Sequence, residues 1–441
     1  MGVKISVIMP SLNVSEYIDE CIQSVLNQKF VEIEILCIDA GSTDGTYEKL
    51  EDYKMCDNRI QLLRSNKKSY GYQVNMGIKK ATGEYIAIVE TDDYIDKNMF
   101  NELYLLAEKN HLDYIKAGAT SVRSFGQINI LNKMKFGDEE PGIYNSVISS
   151  KEYPKIIGMD YYIWRGLYNR EFLLNNQIFC NETAGAAYQD IGFTHLVTVY
   201  ATKCMFIDKP FYYYRLFRQG NSTTSLKGVQ FTYQEYVRLL DDLNICSKIS
   251  GVQEKYFWIR YSKAILCEIN YILKNNGFDY KSIKLEAYYD WVREMLTNHV
   301  IDIDEVERLL DNESKDGIRR LCDNFGEYAR VLRDKELQVQ RDVGKLFEYI
   351  NGDEVIVFGC GNLGNEVIEK LLEKNIVIEA ICDNNPILWG KEIGSWKIES
   401  PQVVMKKCAD KKFIIANKKH GEDIKKQLEY NSVQHMYIYN G

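Results

Sequence analysis

The chain has 441 residues, which at about 150 residues per domain indicates two or three folded units. Hydrophobic residues make up 45% and charged residues 27% of the chain; this is ordinary globular usage and excludes a collagen-like or largely disordered protein. Lys and Arg number 55 against 63 Asp and Glu, a net charge of −8. This balance argues against nucleic acid as a partner.

Cysteine and histidine usage indicates neither a disulfide framework nor a His/Cys metal site. The eleven cysteines include no CxxC pair, and the five histidines form no HExxH motif. Because disulfides are rare in reducing compartments, we expect a cytoplasmic protein. We also expect no signal peptide, since residues 1–4 lead straight into a strand-like segment, and no run of about 18 apolar residues could span a bilayer.

The first 120 residues alternate short apolar runs with helical periodicity, a pattern typical of a parallel sheet covered by helices. The apolar runs predict buried strands over residues 5–9, 33–38, 60–63, 85–89 and 114–117. Helical spacing predicts a helix with Ser15 as its N-cap and further helices over 71–80 and 97–110. This part of the chain is therefore predicted to have an α/β fold.

Carboxylates follow two of the predicted strands. Asp39 follows the second strand, and Asp92 and Asp93 follow Glu90 and Thr91 after the fourth. Ligands of open α/β sheets bind outside the carboxyl ends of the strands. Two adjacent carboxylates would repel a nucleotide diphosphate unless a divalent cation lay between, and oxygen ligands suit Mg²⁺ or Mn²⁺. Asp92 and Asp93 are therefore candidate metal ligands, with a solvated turn as the alternative.

Residues 4–120 contain five ordered sequence blocks: Val7–Asn13 (VIMPSLN), Ser24–Gln28 (SVLNQ), Ile38–Thr46 (IDAGSTDGT), Asn75–Ile78 (NMGI) and Ala81–Tyr85 (ATGEY). In sequence and spacing they resemble the nucleotide-binding half of family 2 glycosyltransferases, which have the GT-A fold. The resemblance implies an enzyme that moves a sugar from a nucleotide-sugar donor to an acceptor hydroxyl and inverts the anomeric carbon. It also implies Mn²⁺ or Mg²⁺ as the cofactor.

The resemblance assigns roles to individual residues near the strand ends. Those implied to bind the nucleotide-sugar donor are Pro10, Ser11, Asn13, Asp39, Gly71, Asp92 and Arg215. Asp39 would accept a hydrogen bond from a uracil-type N–H, and Asp92 and Asp93 would share the ribose and metal contacts. The chain departs from the family pattern at Glu90 and Ala40, where acidic Asp residues are usual.

A second set of similarities lies in residues 160–224. Residues 164–173 (WRGLYNREFL) look like the segment before the acceptor site of polysaccharide-building members, and residues 188–193 (YQDIGF) look like their Glu-Asp block. This similarity implies that Asp190 is the general base that takes the proton of the acceptor hydroxyl. Gln189 replaces the usual Glu. Glu182 is the reserve candidate for the base, and a helix cap is the alternative role of Asp190.

The segment after residue 213 resembles a strand and loop that close over the nucleotide-sugar donor. It contains Tyr214-Arg215 and then Arg218-Gln219-Gly220-Asn221-Ser222-Thr223. Arg215 could fork onto phosphate oxygens or pair with a structural acid, and a Gly-Asn-Ser loop can move. Residues 226–350 then show helical spacing and predict a helical module.

A new α/β pattern begins at Glu354. An apolar strand over 355–358 leads into Gly359-Cys360-Gly361-Asn362-Leu363-Gly364, and a second strand over 376–381 precedes Asp383. Such a turn brings backbone N–H groups to a phosphate, and an acid about 20 residues further on can bind a ribose. The segment resembles small Rossmann-like domains of bacterial sugar-modifying enzymes. Gly359, Gly361, Gly364 and Asp383 are candidates for a second nucleotide site; a structural or dimerising role is the alternative.

We therefore predict a GT-A domain over 1–225, a helical module over 226–350 and a Rossmann-like domain over 351–441. The predicted function is metal-dependent, inverting transfer from a nucleotide sugar, expected to be a uridine diphosphate sugar, to a bacterial surface glycan such as capsule or lipopolysaccharide. The acceptor would be a glycan or lipid-linked glycan; homo-oligomers and peripheral contact with the inner face of the membrane stay open. Two alternatives remain: a nucleotide-sugar oxidoreductase using the C-terminal domain, and a catalytically degenerate scaffold, suggested by Ala40, Glu90 and Gln189.

Overall fold

The computed structural model describes residues 2–30, 32–134, 136, 142–159, 161–216, 231–281 and 283–441. The chain divides into two compact units. The first unit consists of Met1–Ser121 and Asn132–Ala329, and the second unit consists of Val122–Leu131 and Arg330–Gly441. Within the described ranges, no helix is both long enough and apolar enough to cross a membrane.

Among the described residues, the first unit is built on a mixed sheet of nine strands. The strands are β1 (Ile5–Ser11), β2 (Ile33–Asp39), β3 (Ile60–Arg64), β4 (Tyr85–Ile88), β5 (Tyr94–Ile95), β6 (Tyr114–Phe125), β7 (Ile128–Met134), β8 (Gly166–Asn169) and β9 (Cys204–Arg215). Their spatial order is β3-β2-β1-β4-β8-β6-β9-β5, with β7 paired to β6. The first four are parallel, and β8 adds to β4 and β6 in antiparallel orientation. The turn between β6 and β7 belongs to the second unit.

The parallel strands end at one edge of the sheet, and this edge positions the candidate site. β1 and β2 are buried along their whole length, as expected for parallel strands covered on both faces. Their register pairs Ser11 with Asp39, and β1 also pairs with β4 so that Ile8 lies opposite Ile88. Ser11 and Asp39 are therefore the last residues of neighbouring strands, and residues 90–93 come shortly after the end of β4.

Helices cover this sheet and then continue as a helical region. They are α1 (Ile18–Leu26), α2 (Thr46–Cys56), α3 (Tyr70–Lys80), α4 (Met99–Asn110), α5 (Arg170–Asn175), α6 (Gln189–Tyr200), α7 (Phe231–Val237), α8 (Gly251–Asn275), α9 (Ile283–Leu296), α10 (Asp304–Arg308), α11 (Asn312–Asp323) and α12 (Phe325–Ile350). The prediction that Ser15 caps the first helix is wrong. The residue before α1 is Tyr17, and the Ser15 N–H donates to the Asp44 carboxylate instead, at 2.9 Å.

Helix α8 is a long helix of the helical region, and about half of its 25 residues are buried. It begins with a capping box, in which Ser250 and Gln253 satisfy each other's backbone and side-chain groups. Its apolar residues recur with helical spacing, and Phe257, Tyr261 and Ile265 have no exposed surface. Because one face of α8 packs into the first unit, the side chains on that face have fixed positions.

The second unit contains a separate sheet of six strands. The strands are β10 (Val355–Phe358), β11 (Ile378–Cys382), β12 (Glu392–Ile393), β13 (Trp396–Glu399), β14 (Lys412–Ile415) and β15 (Met436–Ile438), and the helices are α13 (Asn362–Glu373), α14 (Pro401–Cys408) and α15 (Gly421–Tyr430). Five parallel strands follow the order β13-β11-β10-β14-β15, and β12 is antiparallel to β13. This is the order of a doubly wound α/β sheet.

The second unit begins earlier than the predicted boundary at residue 351. Leu346 and Ile350, in the last turns of α12, are fully buried in the core of this unit. Ile130 of β7 is buried in the same core, and Arg123 of β6 forms an ion pair with Glu369 of α13. These contacts depend on tertiary packing, so helical spacing in the sequence could not place the boundary.

Candidate active site

Asp39 lies at the end of β2 and is almost fully buried. Its carboxylate accepts hydrogen bonds from the backbone N–H groups of Gly41 (2.8 Å) and Ser42 (3.0 Å) and from the Ser42 hydroxyl. Gly41 has φ +85°, a left-handed conformation that glycine adopts at no steric cost. The loop after β2 thus folds back onto the carboxylate of Asp39.

The end of β1 is held against the same loop. The Asn13 side chain accepts a hydrogen bond from the Thr43 N–H at 2.8 Å, and the Asn13 N–H donates to the Ser42 hydroxyl at 2.9 Å. The Pro10 carbonyl accepts from the Thr91 hydroxyl at 2.8 Å, and the Ser11 carbonyl accepts from Gln73 of α3. The residues predicted to line the nucleotide base therefore lie on two adjoining, hydrogen-bonded loops.

Gly71, another predicted donor-binding residue, lies at a close backbone approach. A Cβ on Gly71 would be 1.9 Å from the Asn181 carbonyl oxygen. Helix α3 begins here, capped by the Ser69 side chain, which accepts from the Tyr72 N–H at 3.2 Å. The absence of a side chain at position 71 therefore lets α3 pack against the segment that precedes α6.

The two candidate metal ligands have different surroundings. Asp93 has no exposed surface, and its carboxylate accepts from the Tyr212 hydroxyl (2.9 Å) and the Arg215 N–H (2.8 Å). Burial, reinforced by the neighbouring Asp92 charge, raises the pKa of Asp93 well above its ordinary value. Asp92, in contrast, lines a cavity together with Glu90. Of the adjacent pair, Asp92 lines the cavity, and Asp93 is not among the described residues that line it.

Arg215 pairs with an acid, one of the two roles considered for it. Its guanidinium forms an ion pair with Glu20 and donates to the Asp92 carbonyl at 2.7 Å. It also lies 4.9 Å from the centre of the Tyr94 ring. Arg215 thus connects β9 to the acidic strand end. The predicted mobile loop, Arg218 to Thr223, lies outside the described residues.

The cavity has a volume of about 530 Å³ and lies within the first unit. Its lining includes the strand-end acids Glu90 and Asp92, the candidate base Asp190, and six aromatic side chains: Tyr70, Tyr161, Tyr162, Trp164, Tyr188 and Tyr214. The volume is typical of a ligand pocket, and an aromatic lining with a few charged groups is the usual chemistry of one. The structure therefore brings the predicted base and one predicted metal ligand into a single cavity.

Asp190 lies in the first turn of α6 and is partly buried. The residue before this helix, Tyr188, has φ +65°, a left-handed conformation that is strained for a bulky side chain and is typical of functional sites. Burial raises the pKa of Asp190 from 3.8 to about 6, while the charges of Arg260 and Lys116 act in the opposite direction. A carboxylate with this pKa is mostly ionised at neutral pH and is a better proton acceptor than an exposed one.

Arg260 supports this helix turn from α8. It has no exposed surface and donates to the Thr194 hydroxyl at 2.6 Å; that hydroxyl in turn donates to the Asp190 carbonyl at 2.7 Å. The second guanidinium contact is with the Ile157 carbonyl at 3.3 Å, and the Nε atom has no hydrogen-bond partner among the described residues. A buried cation held this way stabilises the nearby Asp190 carboxylate.

Glu182, the reserve candidate for the base, lies elsewhere. Its carboxylate pairs with Lys67 at 2.9 Å and accepts from Asn75 at 3.2 Å. It is exposed and is not among the described residues that line the cavity. The structure thus places Asp190, and not Glu182, beside the strand-end acids.

The candidate second nucleotide site lies in the second unit. Gly359 has φ +116°, and a Cβ on Gly364 would be 1.9 Å from the Gly359 carbonyl oxygen, so packing requires both glycines. A Cβ on Gly361 would contact nothing within 4 Å. The Asp383 carboxylate accepts from the N–H groups of Cys360 and Asn385, both at 2.8 Å. Its oxygens bind the unit's own loop, and a nucleotide role for these residues stays a prediction.

The residues present suit a divalent cation of the Mg²⁺ type. The part of the chain that the structure describes contains no group of three His, Cys, Asp or Glu side chains placed to hold a metal. Mg²⁺ is commonly bound by one or two carboxylates together with substrate phosphates. Asp92 and Glu90 offer carboxylates of this kind on the cavity wall.

Sequence reasoning missed the contribution of α8 to this cavity. Four of its residues line the cavity: Lys263, Ala264, Cys267 and Glu268. They lie more than 70 residues after Asp190 in a stretch where periodicity predicts helices but not their partners. No motif in the sequence could have identified them.

The family comparisons agree with this geometry. Residues 6–164 match the family model described as "Glycosyl transferase family 2", and residues 351–439 match the model described as "C2185-like, N-terminal". The first unit thus contains a family 2 glycosyltransferase domain, which is an enzyme domain. The predictions of this family and enzyme class are confirmed.

Several curated proteins are similar to parts of the chain. An uncharacterised glycosyltransferase, EpsJ of Bacillus subtilis, is 30% identical over 224 residues, 50% of this chain and 63% of that protein. The glycosyltransferase GlyG of Streptococcus pneumoniae is 39% identical over 116 residues, 26% of this chain and 38% of that protein. The chain therefore spans less than two thirds of the length of these relatives. The poly(ribitol-phosphate) β-N-acetylglucosaminyltransferase TarS of Staphylococcus aureus is 25% identical over 294 residues, 66% of this chain and 48% of that protein.

A crystal structure of S. aureus TarS, residues 1–349 in complex with UDP-GlcNAc, is similar to this fold. It has a TM-score of 0.52 and 21% identity, and the match covers 76% of this chain and 92% of that chain. This similarity confirms the predicted GT-A fold, followed by a helical region.

Proposed function

We propose that this protein transfers a sugar from a nucleotide-sugar donor, of the uridine diphosphate type, to a hydroxyl of a bacterial surface glycan. One observation carries the proposal. A carboxylate suited to act as a base, Asp190, lines the same cavity as the acids Asp92 and Glu90 at the strand ends. A sugar bound with its diphosphate at the strand ends would place its anomeric carbon in this cavity.

The proposed reaction is a direct displacement that inverts the anomeric carbon. The Asp190 carboxylate takes the proton of the acceptor hydroxyl while that oxygen bonds to the anomeric carbon, and the nucleoside diphosphate leaves from the opposite face. The aromatic lining would hold the two substrates in position. Asp93, through its hydrogen bonds to Tyr212 and the Arg215 N–H, fixes the strand end that carries Asp92.

A divalent cation is part of the proposal. Bound by Asp92, with Glu90 nearby, Mn²⁺ or Mg²⁺ would offset the negative charge of the diphosphate. Thr91, next to Asp92, donates to the Pro10 carbonyl, and Thr43, in the loop after Asp39, donates to the Asn13 side chain. These hydrogen bonds would connect the metal site to the residues predicted to contact the base of the nucleotide. The bound UDP-GlcNAc of the similar TarS structure supports a uridine nucleotide.

The surface-glycan acceptor is supported by the similar proteins. TarS is named for transfer onto poly(ribitol-phosphate). A glycan or lipid-linked glycan that presents a hydroxyl would enter the same aromatic cavity.

The test is a transfer assay with the full-length chain. Uridine, guanosine and thymidine diphosphate sugars are each incubated with a panel of glycan acceptors, in Mn²⁺, in Mg²⁺ and in excess chelator. We expect turnover with uridine diphosphate sugars only when a divalent cation is present, and a product of inverted anomeric configuration by NMR. Undiminished turnover in chelator would refute the metal. Binding of nucleotide sugars without any transfer or donor hydrolysis would favour the degenerate scaffold.

A further inference from the structure

Helix α8 lies outside the residues matched by the glycosyltransferase family model but contributes to its cavity. The contributing residues are Lys263, Ala264, Cys267 and Glu268. They are spaced i, i+1, i+4 and i+5, so they lie side by side on one face of the helix. We call this set the α8 wall.

The α8 wall is held in place by buried contacts. The Glu268 carboxylate accepts from the Thr232 N–H at 3.0 Å and from the Tyr288 hydroxyl. One turn before the wall, the buried Arg260 donates to Thr194 of α6. A site on a rigid element can discriminate between ligands of similar size, because its side chains do not move aside.

The α8 wall has small side chains in its middle and charged side chains at its two ends. Ala264 and Cys267 leave room in the cavity, and the Cys267 residue is exposed. Lys263 and Glu268 can donate to and accept from hydroxyl groups. The other lining residues include the tyrosines and Trp164, whose ring stacks on Tyr214 with centroids 5.0 Å apart. Flat aromatic faces suit the apolar C–H face of a pyranose ring.

The charge of the lining favours an uncharged ligand. Among the described lining residues there are four carboxylates, Glu90, Asp92, Asp190 and Glu268, and one ammonium, Lys263. The Lys263 ammonium also lies 3.5 Å from the Asp311 carboxylate. Phosphate or carboxylate groups on a ligand at this wall would meet more negative than positive charge.

We propose that the α8 wall is the acceptor-binding surface and that it takes an uncharged, hydroxylated sugar ring. The proposal rests on the proposed transferase function. The acceptor hydroxyl would face Asp190, the sugar ring would lie against the aromatic side chains, and its remaining hydroxyls would bind Lys263 and Glu268. Acceptor choice would then depend on a helix outside the family-matched residues.

The first experiment does not need turnover. Cys267 and Cys56 are both exposed, and Cys56 lies outside the cavity lining. The full-length protein is alkylated with iodoacetamide, and the rate at each cysteine is followed by peptide mass spectrometry. Methyl glycosides of glucose, galactose, N-acetylglucosamine and glucuronic acid, and inorganic phosphate, are added in turn.

We expect at least one neutral glycoside to slow alkylation of Cys267 severalfold and to leave Cys56 unchanged. Absence of protection by every neutral glycoside would overturn the proposal. Protection by glucuronide or phosphate alone would overturn the uncharged class. Because alkylation needs no nucleotide sugar, this outcome is separate from failure of the transferase function itself.

The second experiment places a large side chain on the α8 wall. Ala264→Trp should lower acceptor-dependent transfer at least tenfold while nucleotide-sugar binding stays at the wild-type level. Val252→Trp, at an exposed position of the same helix, is the matched control and should behave as wild type. Unchanged transfer in folded Ala264→Trp, or equal loss of nucleotide-sugar binding, would overturn the assignment of the wall to the acceptor.

Discussion

Asp190 is the residue on which the proposed reaction depends most directly, and Asp190→Asn is its sharpest test. The substitution keeps the size of the side chain and removes the proton acceptor. Loss of a general base commonly costs about 10²–10⁴-fold in rate, equivalent to roughly 3–5 kcal/mol of transition-state stabilisation. Binding of the nucleotide sugar should survive, because the residues predicted to contact the nucleotide lie on other loops.

The pKa of Asp190 gives the pH dependence and its sign. Burial raises this pKa to about 6. The ionised form is the base, so kcat/KM should rise with pH, level off above about 7, and fall about tenfold per unit below 6. The raised pKa also means that ionised Asp190 opposes folding, because folding stability is lost as pH rises from about 4 to about 6. Asp190→Asn should therefore be at least as stable as wild type at neutral pH, by up to about 3 kcal/mol.

The assays are steady-state transfer between pH 5 and 9, nucleotide-sugar binding by calorimetry, and thermal unfolding at pH 7.5. Glu182→Gln is the matched control, since Glu182 lies outside the cavity lining and pairs with Lys67. Wild-type turnover by Asp190→Asn, or loss of nucleotide-sugar binding in that variant, would refute the assignment of the base. Loss of turnover in the Glu182→Gln control would point to Glu182 instead.

Three further predictions concern Arg260, Asp92 and two glycines of the second unit. Arg260→Met should raise the pKa seen in the kcat/KM profile, because the Arg260 charge stabilises the Asp190 carboxylate; an unchanged profile in a folded variant contradicts this. Asp92→Asn should weaken Mn²⁺-dependent binding of UDP by at least about tenfold, because substitution of residues that merely hydrogen-bond to metal ligands commonly lowers metal affinity by about 10–100-fold. Calorimetry with and without chelator measures this binding. Gly364→Ala should destabilise the second unit by about 1–3 kcal/mol through overpacking. Gly361→Ala meets no neighbouring atom and should cost at most about 1 kcal/mol, through the poorer N-cap of α13. Chemical denaturation measures both, and equal stabilities would count against the packing explanation.

The prediction of the N-terminal fold succeeded because its information is local. The apolar runs of β1 and β2 have the length of buried strands, and acids directly after them, such as Asp39, mark the strand ends. In a parallel sheet these ends share one edge whatever else the chain does. The blocks around Pro10 and Asp39 also carried the family resemblance, which the match over residues 6–164 confirms.

Local patterns were less informative about contacts far apart in the chain. The core of the second unit includes Ile130 of β7 and Ile350 at the end of α12, and the spacing of apolar residues in these segments does not show which core they join. The prediction that Ser15 caps the first helix was wrong because the Ser15 N–H donates a hydrogen bond to Asp44, which lies 29 residues further along the chain. Both results come from packing between segments that the sequence presents separately.

The sequence by itself determined that a sheet edge would carry Asp39, Asp92 and Asp93, because chain direction and strand length are encoded in adjacent residues. Only the tertiary structure decided that Asp93 is buried against Tyr212 while Asp92 lines the cavity. Only the tertiary structure also placed α8 beside Asp190. Burial and the long-range charge of Arg260 set the pKa of that carboxylate, and both arise only after helices distant in sequence have packed together.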